Sequence, residues 1–171
     1  MPTSASTPVL SPPPTRPARP WLLWAATVLR VGLGVVAIVA GLAKLTDLPA
    51  SVRAVRAYEL LPEGLASLVG NGLPLVELIL GVLLIAGLFT RVSALVFGLL
   101  MIAFMIGIGS AWARGLSIDC GCFGGGGAID PDKTAYALEL IRDAGLLAVA
   151  AVVVRWPRSR LSLDSALHLT A

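Results

Sequence analysis

The sequence predicts an all-α integral membrane protein, a bundle of four transmembrane helices with both termini on the same side. Three observations predict it. Of 171 residues, 57% are hydrophobic and only 13% are charged, about half the charge of an ordinary soluble domain at roughly 25%. The apolar content is mostly Leu, Ala, Val and Gly, because Phe, Trp and Tyr together make up only 6%. A soluble domain this small would need polar groups over most of its surface, and their scarcity excludes the soluble-enzyme classes. Finally, four segments reach the roughly 20 residues that a helix needs to cross a bilayer.

Taken in order, residues 2–20 are rich in Pro, Ser and Thr with almost nothing to bury, and read as a disordered leader. Its basic residues come late and a full-length apolar segment follows, which is not the pattern of a cleaved signal peptide. The first span runs from Trp21 to about Leu45, with Trp21 and Trp24 as interfacial anchors. The second, about Leu65 to Leu88, contains Pro74 and Glu77, while the third, Val92 to Ala113, has no charged residue. The fourth runs from about Ala135 to Val154 and ends at Arg155-Trp156-Pro157, which stops and anchors it. The membrane domain is thus 21–156, with 157–171 as a cytoplasmic tail. Small residues recur at Gly32, Gly34, Gly41, Gly81, Gly87, Gly98, Gly107 and Gly109, where they permit close helix approach.

Charge gives the orientation. Net charge is +3, and the tails supply Arg16, Arg19, Arg155, Arg158 and Arg160. Neither tail interleaves aromatic residues with a basic run, so nucleic acid is not an expected partner. With the termini inside, the inner side has six Lys and Arg residues including Arg91, and the outer side has five: Lys44, Arg53, Arg56, Arg114 and Lys133. The margin is thin, but it follows the positive-inside rule. The loop between the first two spans holds Asp47-Leu-Pro and Tyr58-Glu-Leu-Leu-Pro62. It reads as a short helix on the membrane surface that closes over the next outer loop, or as an ordinary connector.

That next outer loop carries the chemistry: Arg114-Gly-Leu-Ser-Ile-Asp119-Cys120-Gly-Cys122-Phe-Gly-Gly-Gly-Gly127, with both cysteines of the chain. Gly121 lets the backbone take the dihedrals of a very short ring. A disulfide wants Cα atoms roughly 4.4–6.8 Å apart, which an i, i+2 pair meets only under constraint. Such a ring removes little chain entropy and staples poorly, whereas strained bridges exchange readily. Redox exchange is therefore the expected use of Cys120 and Cys122. A structural zinc site wants four ligands, and beyond the cysteines the chain offers one histidine, His168. A soft-metal carrier would show further Cys, Met or His near the loop, so no metal site is expected. A structural clasp remains open.

Five ionisable residues fall inside the spans: Arg30, Glu77, Glu139, Arg142 and Asp143. Each is costly there and marks a function or a buried partner. Arg30 is nine residues from Trp21 and Glu77 eleven from Leu88, roughly 13 and 16 Å in from one face, so an Arg30–Glu77 pair is expected. Whether it locks two helices in register or serves chemistry stays open. Glu139, Arg142 and Asp143 share one helical face beside the cysteine loop. A cation there favours the reactive thiolate, and Arg142 and Arg114 are the candidates.

Several of these patterns together resemble the DoxX/MauE group of small four-helix membrane proteins. They are Arg30 with Gly41-Leu-Ala-Lys44-Leu, Tyr58-Glu-Leu-Leu-Pro62, Leu73-Pro-Leu-Val-Glu77-Leu and Asp119-Cys120-Gly-Cys122-Phe-Gly124. The last run points to the MauE branch. The leader and the glycine run to Gly127 depart from the family pattern. The resemblance implies a role in maturing the disulfide-rich small subunit of methylamine dehydrogenase beside a thioredoxin-like partner. DoxX-like relatives add an association with quinol or thiosulfate oxidation. The resemblance carries Cys120 and Cys122 over as a redox pair with Arg30, Glu77 and Arg142 in support, and the loop itself adds Asp119 and Arg114 as supporting residues.

The expected function is thiol–disulfide exchange with a thioredoxin-fold protein through an extracytoplasmic Cys loop in the plasma membrane. No cofactor is evident, and no pattern identifies a quinone site although one bound between helices would carry electrons away. The alternative is a non-catalytic subunit scaffolding a quinone-linked redox complex among lipid and other subunits. Transport would call for broken helices or an inverted repeat, and the sequence has neither.

Overall fold

The computed structural model describes residues 20–157 and 163–166. The expected disordered leader up to residue 19, His168 and most of the tail expected to be cytoplasmic lie outside the described residues.

The element order is α1 (Pro20–Leu45), α2 (Leu48–Ala57), α3 (Glu63–Ala86), α4 (Thr90–Ala113), β1 (Ile118–Asp119), β2 (Gly127–Ala128), α5 (Tyr136–Arg155) and α6 (Leu163–Ala166). Among the described residues, α1, α3 and α4 are the three helices long and apolar enough to cross a membrane. Their outer faces expose Val28, Val35, Val39, Leu75, Ile79, Leu99 and Ile106. Helices apolar all round belong in lipid, so the chain is a multi-pass membrane protein. Where a fourth span is expected the chain forms the helix α5, which is not among those three. Glu139, Arg142 and Asp143 occupy its first eight residues, which leaves an uninterrupted apolar run of 144–154, about 16 Å long.

The bundle is two tight pairs, α1 with α3 and α4 with α5, closed around Leu33, Ala37, Leu84, Phe97, Met101 and Val153. Between α1 and α3 the backbones nearly touch. A Cβ on Gly81 would lie 2.8 Å from the Gly34 carbonyl oxygen and 2.6 Å from Ile38, and one on Gly41 2.8 Å from the Pro74 carbonyl. Not every predicted small-residue contact forms, because Gly32 and Gly109 face open space.

Two helix defects are repaired from elsewhere in the chain. Pro74 lacks an N–H, so the Gly70 carbonyl one turn before it has no intrahelical donor. Ser51 Oγ of α2 donates to that oxygen at 2.7 Å. The short helix expected between the first two spans is thus real, and it is docked on α3 at its proline. The N-terminus of α4 has no cap of its own, since Phe89 precedes it in the left-handed region at φ 49. Asp164 supplies the cap. Its Oδ1 accepts from Phe89 N at 2.8 Å and its Oδ2 from Thr90 N at 2.9 Å, while its own N–H donates to the Gly87 carbonyl.

Replacing Gly81 with Ala is expected to cost about 1–3 kcal/mol by overpacking, because both obstacles lie within 2.8 Å. Gly109→Ala is expected to leave stability unchanged. Thermal unfolding of the purified proteins in one detergent compares them; equal melting temperatures would refute the close α1–α3 contact.

Candidate functional site: a buried cysteine hairpin

After α4 the chain turns into a short hairpin. β1 and β2 pair antiparallel, Ile118 with Ala128 and Asp119 with Gly127, so residues 120–126 form its tip and hold both cysteines. Tyr136 of α5 fixes the base, its hydroxyl accepting from Ile118 N at 2.9 Å and donating to the Leu116 carbonyl at 2.6 Å. The tip is built for close approach. Gly121 and Gly126 sit at φ +67 and +100, and a Cβ on either would lie within 2.6 Å of Ala54 Cβ. Only glycine satisfies both demands, and the α2 methyl group is seated between them.

That seat changes the expected exposure. The loop is polar and glycine-rich in sequence, yet Cys120 and Cys122 are only 9% and 6% exposed. Both are free thiols. The Cys122 amide donates to Cys120 Sγ at 3.3 Å, and Arg142 Nη2 of α5 reaches the same sulfur at 3.8 Å. Arg142 is held in turn by Asp143, with Nε donating to Oδ1 at 2.9 Å, and by stacking 4.9 Å over the Phe123 ring. The hydrogen bond from the Cys122 side chain, then its amide and Arg142, draw the Cys120 thiol below its ordinary pKa against burial and Glu139. Giving that hydrogen bond pushes Cys122 up, as does burial. Asp119 and Glu139 crowd the same spot, with a carboxylate oxygen of each and Cys120 Sγ within 4.8 Å of one another.

The expected Arg30–Glu77 pair does not form. Glu77 is paired with Lys44, whose Nζ lies 2.8 and 2.9 Å from the two carboxylate oxygens, both residues being buried. Arg30 instead donates to the Leu84 and Ile85 carbonyls at 2.6 and 3.1 Å, near the C-terminus of α3 where carbonyls lack helical partners. The contacts of Gly34 with Gly81 and of Gly41 with Pro74 set the antiparallel register. On it, Glu77 faces Ile38, eight residues and about 12 Å from the level of Arg30. Depths counted from segment ends had hidden that offset.

Lys44, expected as an outer-side cation within the Gly41-Leu-Ala-Lys44-Leu run, is the residue that joins the membrane core to the site. Its third donor goes to the Cys122 carbonyl at 2.5 Å. Tyr58 likewise donates from its hydroxyl to the Cys120 carbonyl at 3.2 Å, its ring lying against Gly107. Burial, first, and the neighbouring sulfurs push its pKa up, which keeps it a donor. Arg114, a candidate for activating the thiols, does not touch them; it donates to the Tyr58 carbonyl and faces Glu59 at 3.9 Å. The signal for Lys44 was a cation placed where helix α1 still has apolar neighbours. Nothing in the sequence marks Tyr136 as part of the site, whereas Asp143, expected on the helical face beside the cysteine loop, is there and holds Arg142.

Fold and site together define a multi-pass helical membrane protein that carries a paired-cysteine hairpin packed against the end of its bundle. The family model described as methylamine utilisation protein MauE matches residues 20–156, and the chain belongs to that family. The match covers every membrane helix, the hairpin and α5. No curated protein and no solved structure matches the chain.

Breaking one partner of a buried ion pair leaves the other charge stranded, at about 3–5 kcal/mol. Lys44→Met and Glu77→Gln are each expected to cost in that range, and the double variant clearly less than the sum. A double-mutant cycle on thermal or denaturant unfolding reads the coupling; additive costs would refute the pair.

Proposed function

We propose that Cys120 and Cys122 form a thiol–disulfide couple that exchanges with a thioredoxin-fold protein during the maturation of an exported, disulfide-containing protein. The observation that carries this reading is the asymmetry at one sulfur, where Cys120 Sγ receives the Cys122 amide and Arg142. A stabilised thiolate beside a second thiol is the arrangement for exchange. In the reductive direction, Cys120 attacks a partner disulfide, giving a mixed disulfide and one partner thiol. Cys122 then displaces the second partner sulfur, leaving the Cys120–Cys122 bridge and a partner dithiol. The oxidative direction is the reverse, and the low pKa of Cys120 makes it the better leaving group.

In this reading α5 is the fourth crossing, the termini are cytoplasmic and the hairpin faces the oxidising side of the plasma membrane. Both the charge margin of the tails and the compartment in which disulfides persist support that side. Membership of the MauE family supports a setting in methylamine utilisation, with the small subunit of methylamine dehydrogenase as the maturing protein. A protein partner reaches the sulfurs only after the α2–Tyr58 cover lifts from the tip. That burial favours the second reading, a non-catalytic subunit of a redox complex in which the cysteines clasp the loop.

In native membranes the pair is expected to cycle reversibly between a disulfide and two thiols, read by maleimide labelling with and without reductant. One of Cys120→Ser and Cys122→Ser is expected to trap a mixed disulfide with a thioredoxin-fold protein. A pair that stays reduced and traps nothing would leave the scaffold. In Cys122→Ser, alkylation of Cys120 by iodoacetamide is expected to rise with a midpoint below the ordinary thiol value of about 8.5. Arg142→Leu removes a cation from the thiolate, so the midpoint is expected to move to higher pH; an unmoved midpoint would remove Arg142 from the site.

A further inference from the structure

At the end of the bundle opposite the hairpin, α4 and α5 leave a groove of about 330 Å³ between them. The two helices run antiparallel, so the first turn of α4 lies beside the last turn of α5. Each gives the groove an arginine there, Arg91 and Arg155. Small residues make the floor. Ala94 and Ala150 are buried, and a Cβ on Gly98 would already meet Leu147 at 3.4 Å and Ala150 at 3.7 Å. The α4 wall follows one face in steps of four and three, through Leu95, Leu99 and Ile102, all exposed. Because α4 is long and apolar enough to cross a membrane, this face meets lipid.

The arginines at the two ends of the molecule differ. Arg53, Arg56, Arg114 and Arg142, toward the hairpin end, each face a carboxylate. Among the described residues neither Arg91 nor Arg155 has one. Arg155 instead lies 5.8 Å over the Trp156 ring, an exposed indole of the kind that sits at headgroup level. From Arg91 to Ile102 is eleven residues, about 16 Å along the helix. One leaflet of the hydrocarbon core is about 15 Å deep, so the groove has the length of a single leaflet.

We propose that this groove binds an anionic phospholipid of the leaflet opposite the hairpin, with Arg91 and Arg155 on its phosphate and an acyl chain laid against Leu95, Leu99 and Ala151. The inference stands apart from the thiol–disulfide reading. Two guanidinium groups on one groove without a counter-charge suit phosphate oxygens, which they take in paired hydrogen bonds. The apolar length beneath them suits hydrocarbon and not a free hydrated anion. A zwitterionic headgroup would bring its own cation to the two arginines, so a net negative one is preferred. A second copy of the chain docked about a two-fold axis would set arginine against arginine. The consequence reaches the site, because the hairpin is strung between the other ends of these same two helices. A lipid bridging Arg91 and Arg155 ties the pair together and stabilises the folded state it binds.

The test uses the full chain, delipidated in a non-ionic detergent, with dioleoylphosphatidylglycerol and dioleoylphosphatidylcholine as probes. Native mass spectrometry reads the bound fraction, and thermal unfolding reads the stabilisation. Phosphatidylglycerol is expected to bind more tightly than phosphatidylcholine and to raise the melting temperature, with a preference that weakens as salt is added. Arg91→Gln and Arg155→Gln are each expected to raise its half-saturating concentration about fivefold. Their melting temperatures without lipid are expected to match the parent's, which reports that they have folded. Arg53→Gln and Arg56→Gln, which remove charge at the other end, are expected to change nothing in lipid binding. Ala151→Phe, which fills the groove but keeps both arginines, is expected to weaken binding of phosphatidylglycerol. Equal binding of the two lipids, or binding that both arginine variants leave unchanged, would overturn the headgroup site. Binding indifferent to Ala151→Phe would overturn the groove, as would a dimer that forms without lipid and is broken by Ala151→Phe.

Discussion

The ammonium of Lys44 has three protons and three acceptors: the two oxygens of Glu77 and the carbonyl of Cys122. Among the described residues, this is the interaction that joins α1, α3 and the cysteine hairpin at one point. Both charges are buried, so removing either would strand the other. The carbonyl is the part with consequences for chemistry. It belongs to one of the two cysteines, so the height of the sulfurs above the bundle is set by a salt bridge inside the bundle. Tyr58 repeats the device from the other side through the Cys120 carbonyl. The backbone of both cysteines is thus gripped, and their sulfurs are left to each other and to Arg142.

This grip explains why a loop with four consecutive glycines, Gly124 to Gly127, all at positive φ, adopts one defined shape. Gly124 packs against Ala43 and Gly126 against Ala54, and the tyrosine and lysine hydrogen bonds fix the result. Burial then does two things at once. It keeps the sulfurs from solvent, and it concentrates the effect of Arg142, whose charge is itself steadied by Asp143 and Phe123.

Much of this was legible in the sequence. The helices were, because long apolar runs punctuated by Pro, Gly and charged turns have few other readings. The cysteine pair was, because two cysteines one residue apart in a glycine-rich loop point to shared chemistry. What escaped were contacts between residues far apart in the chain that carry no periodic signature. Glu77 chose Lys44 over Arg30 because register is set by Gly34, Gly41 and Gly81 rather than by distance from segment ends. Ser51 repairs the helix at Pro74, and Asp164 caps α4 across 74 residues, yet a lone serine or aspartate in sequence announces neither. Arg114 and Arg142 looked equivalent until the fold turned one toward Tyr58 and the other toward the sulfur.

The position of Lys44 also bears on how the chain enters the membrane. Its counter-charge is 33 residues further on, which at ribosomal speed means about 2–7 s of synthesis without it. Lys44 is the penultimate residue of α1, where a long aliphatic stem lifts its ammonium to the interface. Glu77 lies midway along α3 with a short side chain and no such escape. The first helix is therefore able to wait alone in the bilayer, whereas the third is accommodated only against it. Biogenesis of the bundle thus has a built-in order, with α1 acting as the template on which α3 is inserted and the hairpin drawn down last.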